Sequence, residues 1–107
     1  MMNPEERFYN DLPQAEQAHW ASLMKPCPAI TQLQPVSYAA YLHHPVTYLV
    51  CEDDQGLPAF LQKQMVADVE KLNPGVKFKM ESCDSGHFPF LSMPERVVKA
   101  VDRMLDA

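Results

Sequence analysis

Hydrophobic and polar positions divide this chain into two unlike halves. In the second half, Val46-Thr47-Tyr48-Leu49-Val50-Cys51 is a nearly unbroken apolar, β-branched run. That pattern predicts a strand covered on both faces, as in a parallel sheet. Residues Pro58 to Leu72 follow with Leu61, Met65, Val69 and Leu72 at helical spacing, predicting a helix whose stripe packs into the core. Asn73-Pro74-Gly75 ends it. From Val76 to Ser82 the pattern alternates, with Val76, Phe78 and Met80 on one side and Lys77, Lys79 and Glu81 on the other. This predicts a strand with one wet face, near a sheet edge. Ser92-Met93-Pro94-Glu95 matches a capping box, and Val97, Val101, Met104 and Leu105 form the expected buried stripe of a last helix.

The first half is rich in proline. Asp11-Leu12-Pro13 reads as a helix start, and the helix runs to about Met24 before Pro26 and Pro28 stop it. Thr31 to Tyr41 gives one or two short helical pieces broken near Pro35. The expected architecture is α/β: a β-α-β-α unit with two parallel strands over 46–107, preceded by a helical, cap-like region over 1–45, all in one domain. Strand–helix–strand order implies a right-handed crossover.

Composition narrows the function classes. The 107 residues include 47% hydrophobic and 21% charged positions, an ordinary globular balance. A net charge of −5 argues against nucleic acid and against anionic membranes as partners. No apolar run approaches the roughly 20 residues that cross a bilayer. The opening Met1-Met2-Asn3-Pro4-Glu5-Glu6 lacks the basic and apolar regions of a signal peptide, so a cytoplasmic location is expected. Cys27, Cys51 and Cys83 are odd in number and far apart, giving no disulfide framework, and Cys51 reads as a buried small hydrophobe. His43 and His44 are adjacent, so in an extended segment their rings diverge. No metal and no cofactor are called for.

Two loops follow the ends of the two strands, where active sites gather in open α/β sheets. The first is Cys51-Glu52-Asp53-Asp54-Gln55-Gly56-Leu57-Pro58, and the second runs from Ser82 through Asp84, Ser85, Gly86 and His87 to Ser92. Neighbouring strands lie about 5 Å apart, so an acid after one can meet a histidine after the other. Such a pair leaves one ring nitrogen free to move a proton. On spacing alone, a histidine in a turn after a glycine remains the competing reading.

Beyond spacing, Tyr48 through Pro58 looks like the acid loop of α/β-hydrolases, in which a strand leads to a D-x-x-x-P turn. Ser85-Gly86-His87-Phe88-Pro89-Phe90-Leu91-Ser92-Met93-Pro94-Glu95 resembles their histidine loop. Phe8-Tyr9-Asn10-Asp11 resembles the segment that opens the cap region in an esterase-like branch, similar to the methylesterase and hydroxynitrile lyase group. The resemblance is to the C-terminal half of that family. It implies His87 as general base and Asp54 as its acid partner, with Asp53 the competing choice and Asp53 and Asp84 otherwise exposed carboxylates. Trp20, Tyr38, Tyr41, Phe88 and Phe90 are candidate substrate-binding aromatics, with packing as their alternative role.

The family's G-x-S-x-G nucleophile elbow does not occur in these 107 residues. None of the glycines, Gly56, Gly75 and Gly86, flanks a serine in that pattern. The expected function is therefore acid/base chemistry by His87 and Asp54 on a small apolar or aromatic carbonyl compound, of isomerase, cyclase or lyase type. The alternatives are a noncatalytic fragment or half-hydrolase that pairs with another chain, and an ester hydrolase whose nucleophile is supplied elsewhere. A two-stranded parallel sheet also predicts a homodimer, with Val46–Cys51 strands pairing across a two-fold axis or N-terminal helices covering the partner's sheet.

Overall fold

The computed structural model describes residues 3–106, so Met1 and Met2, at the opening of the acidic stretch, and Ala107 lie outside the described residues. The elements run in chain order: α1 Pro4–Phe8, α2 Gln14–Ser22, α3 Ile30–Leu33, a 3₁₀ turn at Ala40–Leu42, β1 Thr47–Cys51, α4 Ala59–Leu72, β2 Lys79–Cys83, α5 Pro89–Ser92 and α6 Pro94–Leu105. β1 and β2 pair in parallel, with Thr47 opposite Lys79 and Cys51 opposite Cys83. The α/β class and the β-α-β-α unit are as the sequence predicts.

α1 is an addition to the expected elements. Asn3 caps it through a side-chain oxygen that accepts from the Glu6 N–H at 3.0 Å, with Pro4 at the first helical position and Glu5 and Glu6 in the first turn. α2 begins at Gln14, after Pro13 and without a side-chain cap. Asp11 is thus not its cap, and its carboxylate is used elsewhere.

Four further expectations are corrected. β2 starts at Lys79 rather than Val76, because β1 begins at Thr47 and residues before Lys79 have no strand partner; Phe78 N–H instead donates to Glu70 Oε2 at 2.8 Å. The Ser92–Glu95 capping box does not form. Ser92 ends α5, Met93 occupies the cap position of α6, and the Ser92 hydroxyl is buried without a partner.

The third correction concerns α4. Leu61, Met65 and Leu72 are exposed, the last by 78%, and Val69 is half-buried. The face turned onto the sheet carries Gln62 and Val66. Apolar residues at Phe60, Leu61, Met65 and Leu72 surround much of this helix, so periodicity names no single inner face. In α6, Ala100 is buried and Val97 half-buried, while Val101, Met104 and Leu105 of the predicted stripe are exposed.

The core is accordingly small. Tyr9, Leu12, Val50, Cys51, Val66, Cys83 and Ala100 make up its buried apolar residues. The radius of gyration is 15.6 Å, against about 13 Å for a compact domain of this length. Glu81 fastens α6 to β2: its carboxylate receives Arg103 Nε at 3.1 Å, and Arg96 Nη2 donates to the Ser82 carbonyl at 2.8 Å.

Candidate active site

The site is built where β1 and β2 end. The parallel ladder continues one step past the strands, as Glu52 N–H donates to the Cys83 carbonyl and Asp53 N–H to the Ser85 carbonyl, each at 2.9 Å. These bonds hold the two following loops side by side. Asp54 then turns inward and is 6% exposed. Its Oδ1 accepts the N–H groups of Gly56 at 2.8 Å and Leu57 at 2.9 Å, which closes the turn before Pro58.

Asp54 Oδ2 lies 2.8 Å from Nδ1 of His87. The same oxygen receives Gln62 Nε2 at 3.4 Å. With Nδ1–H donated to a carboxylate, the neutral imidazole presents the Nε2 lone pair. Among the described residues, Nε2 has no hydrogen-bond partner. The ring is flanked by Phe8, with centroids 5.0 Å apart, and by the edge of Phe88 at 4.7 Å. The arrangement holds an oriented imidazole, part-exposed, against apolar walls.

Asp53 takes a different environment. It is exposed, and its carboxylate receives Asn10 Nδ2 at 3.1 Å. Asp84 is exposed as well. Of the candidate aromatics, Trp20, Phe88 and Phe90 come together with Tyr9 and Leu91 around an open apolar hollow of about 170 Å³. Tyr9 and Phe90 both stand against Phe88, at 5.2 and 5.5 Å between centroids. Tyr38 and Tyr41 are not brought there. Tyr38 stacks on His43, and Tyr41 faces Phe78, which precedes β2 whereas His87 follows it.

Three supporting residues have roles that the sequence reading does not assign. Gln62 is 2% exposed; its Oε1 accepts Cys51 N–H at 3.0 Å, and its Nε2 donates to the carbonyls of Leu57 at 2.6 Å and Cys51 at 3.2 Å. Asn10 Nδ2 also donates to the Asp53 carbonyl at 2.9 Å. Asp11 Oδ2 accepts Gly86 N–H at 2.8 Å. The one available hint is a glutamine amid an apolar helix pattern, since a buried amide must find partners.

Glycines mark close approaches at both loops. A Cβ at Gly56 would stand 2.7 Å from the Phe8 ring. A Cβ at Gly86 would fall on Asn10 Oδ1 and lie 2.8 Å from Asp11 Oδ1. Below the loops, Cys51 and Cys83 are buried, and burial pushes the Cys51 thiol up from its ordinary value. Ser85 is fully buried and donates its hydroxyl to the Gly86 carbonyl at 2.9 Å. Among the described residues no three of His, Cys, Asp and Glu converge as metal ligands, and no helix is long and apolar enough to cross a membrane.

Residues 1–100 match the profile of the family described as "Alpha/beta hydrolase family". The chain is 40% identical over 85 residues to alpha/beta hydrolase nvfD of Aspergillus novofumigatus, covering 78% of this chain and 32% of that protein. It is 35% identical over 72 residues to a probable hydrolase, R7, of a Phoma species, covering 67% of this chain and 29% of that one. The chain thus spans about a third of the length of these curated relatives.

Proposed function

This chain belongs to the alpha/beta hydrolase family, and within it we propose that His87 and Asp54 act as a general acid/base on a small apolar or aromatic carbonyl compound. The observation that carries this reading is the 2.8 Å contact from His87 Nδ1 to Asp54 Oδ2, with Nε2 left unpaired. Nε2 takes a proton from carbon next to the carbonyl, Asp54 stabilises the imidazolium that forms, and the proton returns to carbon or oxygen. Outcomes of this kind are isomerisation, cyclisation or elimination, and none requires an acyl-enzyme. The hollow beside Phe88 supports an apolar substrate, with Trp20, Tyr9 and Phe90 as its walls.

The test is proton exchange in D₂O. A panel of aromatic and aliphatic ketones and esters is incubated with the protein, and deuterium entering the α-carbon is followed by NMR. Exchange that His87→Ala abolishes is expected. Stoichiometric labelling of one serine in this chain by a fluorophosphonate, with no α-exchange, would overturn the reading.

A second reading is favoured by the outer side of β1. Thr47, Leu49, Val97, Ala100, Val101 and Met104 line an open apolar groove there. In that reading the chain is half of a hydrolase site, and another polypeptide covers the groove and brings the nucleophile to His87. Ester hydrolysis that appears only when a serine-bearing partner is added distinguishes it from the first.

A further inference from the structure

Asn10 and Asp11 reach across to both loops from a segment far away in sequence. Asn10 Nδ2 donates to the carbonyl of Asp53, the residue before Asp54. Asp11 Oδ2 accepts the N–H of Gly86, the residue before His87. The two adjacent side chains therefore grip the chain one residue upstream of each member of the pair, across separations of 43 and 75 residues. We propose that Asn10 and Asp11 are positioning residues that set the distance between His87 Nδ1 and Asp54 Oδ2; the proposal rests on the acid/base reading of that pair.

Three observations support a positioning role over a cap or a surface contact. Asp11 does not cap α2, whose cap position is Pro13. Gly86 N–H is buried, and Asp11 is its acceptor; a carboxylate is the stronger acceptor for an amide at a fixed place. The tight fit at Gly86, where a Cβ would fall on Asn10 Oδ1, leaves the loop little room to move toward the pair or away from it. Reacting groups misplaced by about 1 Å lose on the order of 100-fold in rate, so a staple of this kind has something to protect.

The experiment uses the full chain with ¹⁵N-labelled histidine. The proton shared by His87 Nδ1 and Asp54 gives a low-field NMR resonance while the hydrogen bond is held, and it is read in wild type and in folded Asp11→Ala, Asn10→Ala and Val66→Ala variants. Wild type is expected to show the resonance, and both Asp11→Ala and Asn10→Ala to lose it by exchange broadening. Val66→Ala, destabilised in the middle of α4 and outside both loops, is expected to keep it. Asp11→Asn retains an acceptor oxygen for Gly86 and is expected to restore it. Absence of the resonance in wild type would overturn the acid/base pair itself. Its presence in wild type and persistence in Asn10→Ala and Asp11→Ala would overturn the positioning role alone, as would its loss in Val66→Ala. If Asp11→Ala fails to fold, Asn10→Ala decides the matter by the same criterion.

Discussion

Asp54 Oδ2 sits 2.8 Å from His87 Nδ1 although 33 residues separate the two side chains. The acid stands three residues beyond Cys51 and the histidine four beyond Cys83, which are opposite one another in the parallel pair. Each protein group on Asp54 leaves it a single orientation: Oδ1 is held by Gly56 and Leu57, so Oδ2 faces the ring.

Asp54→Asn is expected to lower α-proton exchange by about 10²–10⁴-fold, the range that an oriented acid/base contributes. An amide in place of the carboxylate stabilises no imidazolium. Ser85→Ala is expected to retain most activity, because its hydroxyl serves the Gly86 carbonyl. Exchange rates of the two variants, measured side by side, check this; equal losses would remove the case for a serine-free mechanism.

Gln62→Leu is expected to destabilise the fold by roughly 2–5 kcal/mol, since it strips partners from the buried backbone at Cys51 and from the Leu57 carbonyl. Leu72→Gln, on the same helix but 78% exposed, is expected to change stability by no more than about 0.5 kcal/mol. Urea unfolding of both variants measures the contrast, and a larger loss at Leu72 would restore the apolar stripe as the inner face.

Acid should weaken the attachment of α6. Hydrogen bonding from Arg103, aided by Arg96, holds the Glu81 carboxyl below its ordinary 4.5. A carboxylate depressed in the folded state stabilises fully above that unfolded value and loses its contribution as pH falls through the folded one. Melting temperatures below pH 4.5 should therefore fall less steeply in Glu81→Gln than in wild type, while Glu81→Gln is the less stable protein near neutrality.

Thiol reactivity should separate the cysteines. Cys27 is exposed, whereas Cys51 and Cys83 are buried. Burial also keeps the Cys51 thiol protonated past its ordinary pH. A disulfide reagent at pH 8 is expected to titrate one thiol quickly and the other two on unfolding; three fast thiols would show the strand ends to be open.

The homodimer stands as a proposal. It draws on the outer edge of β1, which pairs only with β2 among the described residues, and on the groove lined by Leu49, Val101 and Met104. Sedimentation equilibrium at micromolar concentration should give twice 12.2 kDa. A monomer with Val46–Cys51 protected from exchange would set the proposal aside.

The sequence makes the strands and helices legible where one pattern has one explanation. Val46–Cys51 is too apolar for a one-sided strand, and its loop and that of His87 follow parallel neighbours, so their proximity is a matter of topology. The inner face of α4 was not legible. Periodicity favours Leu61 and Met65, but Gln62 takes the inner face because its amide satisfies both the N–H and the carbonyl of Cys51. The capping box failed by one residue: with Pro94 as the first helical position, the cap falls on Met93 and Ser92 closes the preceding turn. Asn10 and Asp11 look like a helix entry from their neighbours, and nothing local announces partners 43 and 75 residues away.

The alignment of Cys51 with Cys83 also dictates when the His87–Asp54 pair can exist during folding. A slip of two residues would keep every side chain on its proper face, yet carry Asp54 about 6.6 Å along the strand direction from His87. Hydrophobic burial alone would tolerate that error. The ring and the carboxylate would not meet, and Asp53 and Ser85 would miss each other as well. Formation of the pair thus reports correct zipping of the strands. Contacts so distant in sequence form slowly, so a refolding chain should regain helix content before the His87–Asp54 contact.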